Sequence, residues 1–89
     1  MTDENFDYYL QLIKNILKDR ASKYNDAFHK TWTEYGLDTT RILLTIKLNR
    51  LKNIEFSNKN LSSIKDSLTD IAGYCILSLM EIDRNKADI

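Results

Sequence analysis

The sequence predicts an all-α protein, a small helical bundle of three to four helices. It contains no proline and only two glycines among 89 residues, so it lacks the residues that shape the tight turns of a β-sheet protein. Apolar residues recur at intervals of three and four through most of the chain, which is the period of an amphipathic helix. A chain this short makes a single domain over residues 1–89 with a small core, and we expect oligomerisation to complete that core.

The first helix is predicted from about residue 4 to residue 20, because its apolar residues fall on one side of a helix: Phe6, Tyr9, Leu10, Ile13 and Leu17. The next segment, residues 21–35, spaces its aromatic residues at intervals of four, four and three. A helix there would align them on one face: Tyr24, Phe28, Trp32 and Tyr35. Gly36 predicts the end of this segment.

A second long helix is predicted over about residues 39–54, with Asp38 as its N-cap. Its apolar residues cover more than one stripe, which is typical of a central helix or of one at an interface. Residues 56–60 are rich in Ser and Asn and predict a loop. Ser63 and Asp66 form a capping-box pattern for a last helix over about residues 63–83. Gly73 in its middle costs about 1 kcal/mol relative to alanine, which indicates close approach of another helix.

Composition excludes several classes of protein. Lys plus Arg and Asp plus Glu both number 13, so the whole chain has no charge bias toward nucleic acid or an anionic membrane. The best apolar run, residues 71–80, is about half the roughly 20 residues that span a bilayer. One cysteine and no signal pattern at the N-terminus predict a cytoplasmic protein.

Asp66 and Asp70 are four residues apart on the last predicted helix, and Tyr74 follows after four more, so all three share one face. Paired carboxylates of this kind can hold Mg²⁺, which takes oxygen ligands and shares them with substrate phosphates. The alternative is a solvated acidic edge, or ion pairs with Lys and Arg of a neighbouring helix.

The middle helix carries Lys47 and Arg50, a pair that can clamp a phosphate. Asn49 beside them can read a base edge. The alternatives are salt bridges to the two aspartates and an ordinary helix contact for the asparagine. His29, the single histidine, has no companion at metal-ligand spacing, so no zinc site is predicted. Trp32 and the tyrosines either stack on a base or form core, the commoner role in a small domain.

Three phrases of the chain resemble the nucleotide-modification-associated domains of bacteriophages, which look like relatives of the all-α MazG-type nucleoside-triphosphate pyrophosphatases. The phrases are residues 23–36 (KYNDAFHKTWTEYG), residues 47–53 (KLNRLKN) and residues 64–74 (IKDSLTDIAGY). The resemblance covers roughly residues 15–83. It implies an all-α bundle with a metal and nucleotide site, in which Asp66 and Asp70 belong to the acidic motif and the polar face opposite includes Lys47, Asn49 and Arg50. Tyr74 is placed with the nucleotide-binding residues.

The chain departs from that family pattern at its acidic positions. Ile46 and Ser62 stand where the family commonly has acidic residues, and no Glu-x-x-Glu occurs between residues 39 and 54. The hypothesis is therefore a phage-type nucleotide-handling protein that binds rather than turns over its ligand. If it is an enzyme, it is a Mg²⁺-dependent nucleoside triphosphate pyrophosphohydrolase.

Two other hypotheses stay open. One is a non-enzymatic homo-oligomer that sequesters a nucleotide signal or binds a host protein, in an anti-defence or regulatory role. The other is a structural helix-pairing module whose charged residues are solvated or paired with one another. A pocket that joins the two aspartates to Lys47 or Arg50 would favour a binding site over this last hypothesis.

Overall fold

The computed structural model describes residues 3–24 and 26–85, which form four α-helices and one short 3-10 turn. The helices are α1 (Asp3–Tyr24), α2 (Ala27–Tyr35), α3 (Asp38–Lys52) and α4 (Leu61–Asn85), and the 3-10 turn is Asn58–Asn60. The described ranges contain no strand. The prediction of a small all-α bundle of three to four helices is confirmed.

The centre of the fold is an antiparallel pair of helices, α3 and α4. The hydroxyls of Thr40 and Ser78 lie 2.6 Å apart, and Lys47 Nζ lies 2.8 Å from a carboxylate oxygen of Asp70. Because residue numbers rise along α3 where they fall along α4, these two contacts set the direction and the register of the pair.

Helix α1 packs against the middle of α4 at a glycine. A Cβ atom added to Gly73 would lie 3.2 Å from Leu17 Cδ2, which is tighter than an ordinary carbon contact. The prediction that Gly73 marks close approach of a second helix is confirmed. The absent side chain allows α1 to lie this near α4 and brings its C-terminal half over the face that carries Asp70.

Helix α2 is bounded by two residues with positive φ, Asp26 (59°) and Gly36 (62°). The Gly36 N–H donates to the carbonyl of Trp32 at 2.7 Å, so the predicted stop at Gly36 is confirmed. The aromatic segment 21–35 is divided, because α1 continues to residue 24. Trp32 is buried and stacks on Phe28 with ring centroids 6.2 Å apart, Tyr35 is exposed, and the side chain of Tyr24 lies outside the described residues.

The structure corrects two predicted helix starts. Asp38 is the first residue of α3 and not its N-cap, which is Leu37; the Asp38 carboxylate instead accepts from Arg41 Nη1 at 2.9 Å. Helix α4 begins at residue 61, directly after the 3-10 turn, so Ser63 lies inside the helix and the predicted capping box is wrong. At the start of α3, the side-chain bond of Asp38 to Arg41 competes with capping. At the start of α4, the preceding 3-10 turn leads directly into the helix.

The interior of the bundle is polar for its size. Trp32 is the one hydrophobic residue in the described part of the chain that is buried, whereas the buried polar residues are Thr39, Thr40, Ser67, Ser78 and Glu81. Large apolar side chains lie outside, on all four helices. No helix among the described residues has the length and apolar character needed to cross a membrane.

Candidate functional site

Three charged side chains from three different helices meet in one place. Arg20 of α1 donates from Nη2 to Asp70 Oδ1 at 2.6 Å, and Lys47 of α3 donates from Nζ to Asp70 Oδ2 at 2.8 Å. The side chains of Lys47 and Asp70 are only 16% and 15% exposed. We call Arg20, Lys47 and Asp70 the cationic junction, because two positive charges share one carboxylate and leave a net charge of +1.

The two cations also control the ionisation of Asp70. Partial burial raises the pKa of its carboxyl, but the hydrogen bonds and the positive charges of Lys47 and Arg20 outweigh that effect and hold the pKa below its ordinary value. Asp70 is therefore an anion at neutral pH with both of its oxygens engaged.

A large groove opens beside the junction between all four helices. It has a volume of about 940 Å³, and its walls include Arg20, Lys47 and Asp70. Most of its lining is apolar or aromatic, with side chains such as Leu17, Phe28, Leu43, Tyr74, Leu77 and Met80. This size and this mixture of apolar walls with a few charged groups are typical of small-molecule sites. We call it the apolar groove.

Two aromatic rings line the apolar groove side by side. Phe28 of α2 and Tyr74 of α4 have centroids 6.2 Å apart and planes inclined by only 12°. Tyr74 lies one helical turn after Asp70, so the ring pair stands next to the cationic junction. A planar ligand in the groove would find an aromatic surface beside positive charge.

The charged residues at the walls of the apolar groove are biased toward cations. Four cations (Lys18, Arg20, Lys47, Arg84) stand against three carboxylates (Asp26, Asp70, Glu81), which is a net charge of +1 without His29. At one end of the groove the buried Glu81 carboxylate lies 2.8 Å from His29 Nδ1 and accepts from Arg84 at 3.3 Å. This carboxylate is engaged within the protein, and the junction cations face the groove from its other end.

A second groove, of about 630 Å³, lies between α1 and the first turns of α4. It shares Arg20 and Asp70 with the apolar groove, and its other charged residues are Asp19, Arg50, Lys65 and Asp66. Three cations and three carboxylates make this polar groove neutral. Tyr8 and Tyr9, in edge contact with centroids 5.0 Å apart, form its outer rim.

The predicted site residues are divided between the two grooves. Lys47, Asp70 and Tyr74 line the apolar groove, whereas Arg50 and Asp66 line the polar groove together with Asp70. Asn49 is exposed on α3 and lines neither groove; its backbone carbonyl accepts from Asn53 Nδ2 at 2.8 Å.

The sequence and the family resemblance predicted a magnesium site at Asp66 and Asp70. The described residues do not provide a preformed set of oxygen ligands for such a site. Both oxygens of Asp70 accept from cations, and Asp66 is exposed. No group of three or more His, Cys, Asp or Glu side chains that could hold a metal ion occurs in the part of the chain that the structure describes. A hard divalent cation takes six or more oxygen ligands, so it would have to displace Arg20 or Lys47. Mg²⁺ stays a prediction.

The sequence analysis missed Arg20 and did not name Phe28 as a site residue. Arg20 is 50 residues from its partner Asp70, and helical periodicity relates residues only within one helix. A lone Arg at the polar edge of α1 carries no spacing signal. The one hint in the sequence is the phrase that contains Phe28, since it is part of the family resemblance.

Comparison with curated proteins gives no match, and comparison with solved structures gives none either. A family model, described as nucleotide modification associated domain 1, matches residues 20–82. The matched span begins at Arg20 and includes α2, α3 and most of α4. It therefore contains the residues of both grooves except Arg84 and the α1 residues before position 20. Because this span is well over half of the 89 residues, the chain belongs to the nucleotide modification associated domain 1 family.

Proposed function

We propose that the protein binds a nucleotide in the apolar groove and does so without turning it over. The observation that carries the proposal is that the groove joins the parallel rings of Phe28 and Tyr74 to the cations Arg20 and Lys47. A nucleotide has the matching halves, a planar base and an anionic phosphate. The family description, nucleotide modification associated domain 1, is consistent with this ligand class.

In this proposal the base stacks on the aromatic pair, an interaction that contributes about 1–3 kcal/mol and that tolerates different bases. The phosphates lie over the cationic junction, where the guanidinium of Arg20 and the ammonium of Lys47 supply positive charge. Lys18 stands at the same wall one turn away on α1. Its exposed ammonium attracts the anionic ligand at long range but does little to fix the position of the phosphates.

Binding is proposed without hydrolysis because of Asp70. A pyrophosphohydrolase of the MazG type, as the resemblance suggests, would use carboxylates to hold a metal that activates water. Here Asp70 is neutralised by two cations, and Ile46 and Ser62 stand at the positions where acidic residues are common in that pattern. A nucleotide retained in the groove would serve sequestration or signalling rather than turnover.

The test is isothermal titration of the protein with nucleoside mono- and triphosphates, in EDTA and again in Mg²⁺. We expect binding in EDTA. Tyr74→Leu, which keeps the apolar volume but removes the ring, should weaken it about tenfold. Lys18→Ala should weaken it several-fold at low salt, whereas Lys14→Ala, one turn earlier on α1 and outside both grooves, should leave it unchanged.

The same titration can contradict the proposed function in three ways. Binding that survives Tyr74→Leu but is lost in Arg50→Ala would move the nucleotide to the polar groove. No binding by the folded wild type would overturn the proposal. Release of pyrophosphate from a triphosphate in Mg²⁺ would overturn the statement that the protein does not turn its ligand over.

A further inference from the structure

Helix α4 has two seams, and the apolar one faces outward. The inner seam packs on α3 and α2, and its most buried members are polar: Ser67, Ser78 and Glu81. A second set of residues, spaced by four, three, four and three, runs along another side of the helix: Leu68, Ala72, Cys75, Leu79 and Ile82. We call this set the outer seam.

The outer seam has no partner helix among the residues that the structure describes. Leu79 is 63% exposed, Leu68 53% and Ile82 41%, and Cys75 is exposed between them. At 100° per residue, these side chains lie roughly opposite Gly73, which faces α1. The outer seam lines neither groove, so nucleotide binding does not account for it.

The spacing identifies the kind of partner that fits. Apolar residues repeated in heptads, at positions a (Ala72, Leu79) and d (Leu68, Cys75, Ile82), are the pattern by which one α-helix packs along another. Inside the chain, α4 already meets α3 and α1 on its other sides. The outer seam is therefore available for a helix from another molecule.

Surface area supports a second copy of this chain as that molecule. The chain exposes 6978 Å², whereas a compact monomer of 10.5 kDa exposes roughly 5,400 Å². The excess of roughly 1,500 Å², summed over the whole molecule, is comparable with the roughly 1,000–2,500 Å² that each partner buries in an obligate homodimer. The radius of gyration, 14.7 Å, likewise exceeds the roughly 12 Å expected for a compact domain of this length.

We propose that the protein is a homodimer in which the outer seams of two α4 helices pack antiparallel. Charge selects this direction and its register. Lys65 stands just before the seam, and Asp83 just after it; both are exposed, and neither has an ion-pair partner among the described residues. Antiparallel packing brings Lys65 of each copy next to Asp83 of the other, whereas parallel packing would bring the two Lys65 side chains together.

This register also brings the small residues together at the two-fold axis. Ala72 of one copy faces Cys75 of the second copy, and Leu68 faces the second copy's Leu79. Small side chains at the centre allow close approach of the two helices, and the leucines fill the flanking layers. The dimer would cover Leu68 and Leu79, the two most exposed apolar side chains of α4. It would leave the apolar groove open and place Asp83 of the second copy beside Lys65 at the edge of the polar groove.

The first test is sedimentation equilibrium over a range of protein concentrations. We expect the wild type to have twice the 10.5 kDa chain mass at micromolar concentration. Leu79→Lys should weaken the dimer at least about a hundredfold, because it buries an unpaired charge in each copy. The control is Ile46→Lys, which changes an isoleucine of α3 that is 52% exposed and outside the seam and should leave the dimer intact. Circular dichroism verifies that both variants fold.

Two further measurements test direction and register. Lys65→Asp and Asp83→Lys should each weaken the dimer several-fold, because each places like charges together between the two helices. The double variant should recover wild-type affinity. The second measurement is disulfide cross-linking. Wild type is mixed with a tagged Ala72→Cys/Cys75→Ala double variant and oxidised mildly. The mixture should form a disulfide-linked heterodimer, because residue 72 of one copy faces residue 75 of the other, whereas neither protein alone should cross-link.

A wild type that stays monomeric at high concentration would overturn the proposal, and the outer seam would then be left for a different protein. A dimer lost in Ile46→Lys but kept in Leu79→Lys would overturn the assignment of the surface. Cross-linking of the wild type alone through Cys75 would overturn the antiparallel direction. Failure of nucleotide binding bears on none of these outcomes.

Discussion

Arg20 and Asp70 are separated by 50 residues along the chain and by 2.6 Å between Nη2 and Oδ1. This ion pair ties α1 to α4 next to the glycine contact at Gly73. Lys47 adds α3 to the same carboxylate. One side chain thus connects the three longest helices and also occupies the point where the two grooves meet.

Asp70→Asn should destabilise the protein by about 2 kcal/mol at pH 7. The substitution keeps the size of the side chain but removes the negative charge that Arg20 and Lys47 share, at a position where Asp70 and Lys47 are largely shielded from solvent. Urea unfolding followed by the fluorescence of Trp32 measures the difference. Asp38→Asn is the control, since Asp38 forms an exposed pair with Arg41, and its loss should change stability by less than about 0.5 kcal/mol.

The contribution of Asp70 should depend on pH with a definite sign. The pKa of its carboxyl is lower in the folded protein than in the unfolded chain, so the contribution is complete above the unfolded value, about 3.9. It disappears as the pH falls through the lowered folded pKa. The gap between wild type and Asp70→Asn should therefore be constant from pH 5 to 7 and close in more acidic solution. A gap that widened as the pH fell would contradict the assignment.

The same substitution should affect nucleotide binding in the direction opposite to its effect on stability. In the proposed site Asp70 competes with the phosphates for Arg20 and Lys47, so Asp70→Asn should raise the affinity several-fold at low salt. If instead Asp70 held Mg²⁺, the substitution would abolish binding. Titration of wild type and variant in EDTA and in Mg²⁺ separates these two cases by the sign of the change.

The sequence predicted the elements of this fold better than their ends. Helical periodicity predicted the helices, and Gly36 predicted the end of α2. Both features depend on residues that are neighbours along the chain. The cap predictions at Asp38 and Ser63 were wrong, because an Arg at the third following position and a preceding 3-10 turn offered competing local bonds. Such competition is decided by small energies that residue type alone does not reveal.

The candidate site was predicted in part. Lys47, Asp70 and Tyr74 were named from spacing and resemblance, and the structure brings them to one groove. The ion pair of Asp70 with Lys47 corresponds to the alternative that the sequence had left open. Arg20 was missed, because its role depends on the packing of α1 across α4 and no periodic pattern encodes that crossing.

Ser67→Ala should stabilise the protein by about 1 kcal/mol. Ser67 is fully buried in the α3–α4 interface, and its hydroxyl has no hydrogen-bond partner among the described residues. Removing an unsatisfied buried hydroxyl abolishes its desolvation cost, and alanine is also the better helix former. Chemical denaturation measures the change. Ser62→Ala, an exposed serine of the same helix, should give only the smaller gain from helix propensity, and equal gains at the two sites would contradict this account.

The contact between Leu17 and Gly73 should appear as non-additivity in a double-mutant cycle. Gly73→Ala offers the helix a gain of about 1 kcal/mol, but the new Cβ would lie 3.2 Å from Leu17 Cδ2, so that gain should be largely cancelled in the wild type. In a Leu17→Ala background the obstacle is absent, and Gly73→Ala should then give its full gain. Since the two residues touch, the coupling energy should be close to 1 kcal/mol. Additive effects, with the full gain present in both backgrounds, would mean that α1 lies farther from α4 than the structure shows, and the approach of Arg20 to Asp70 would need another explanation.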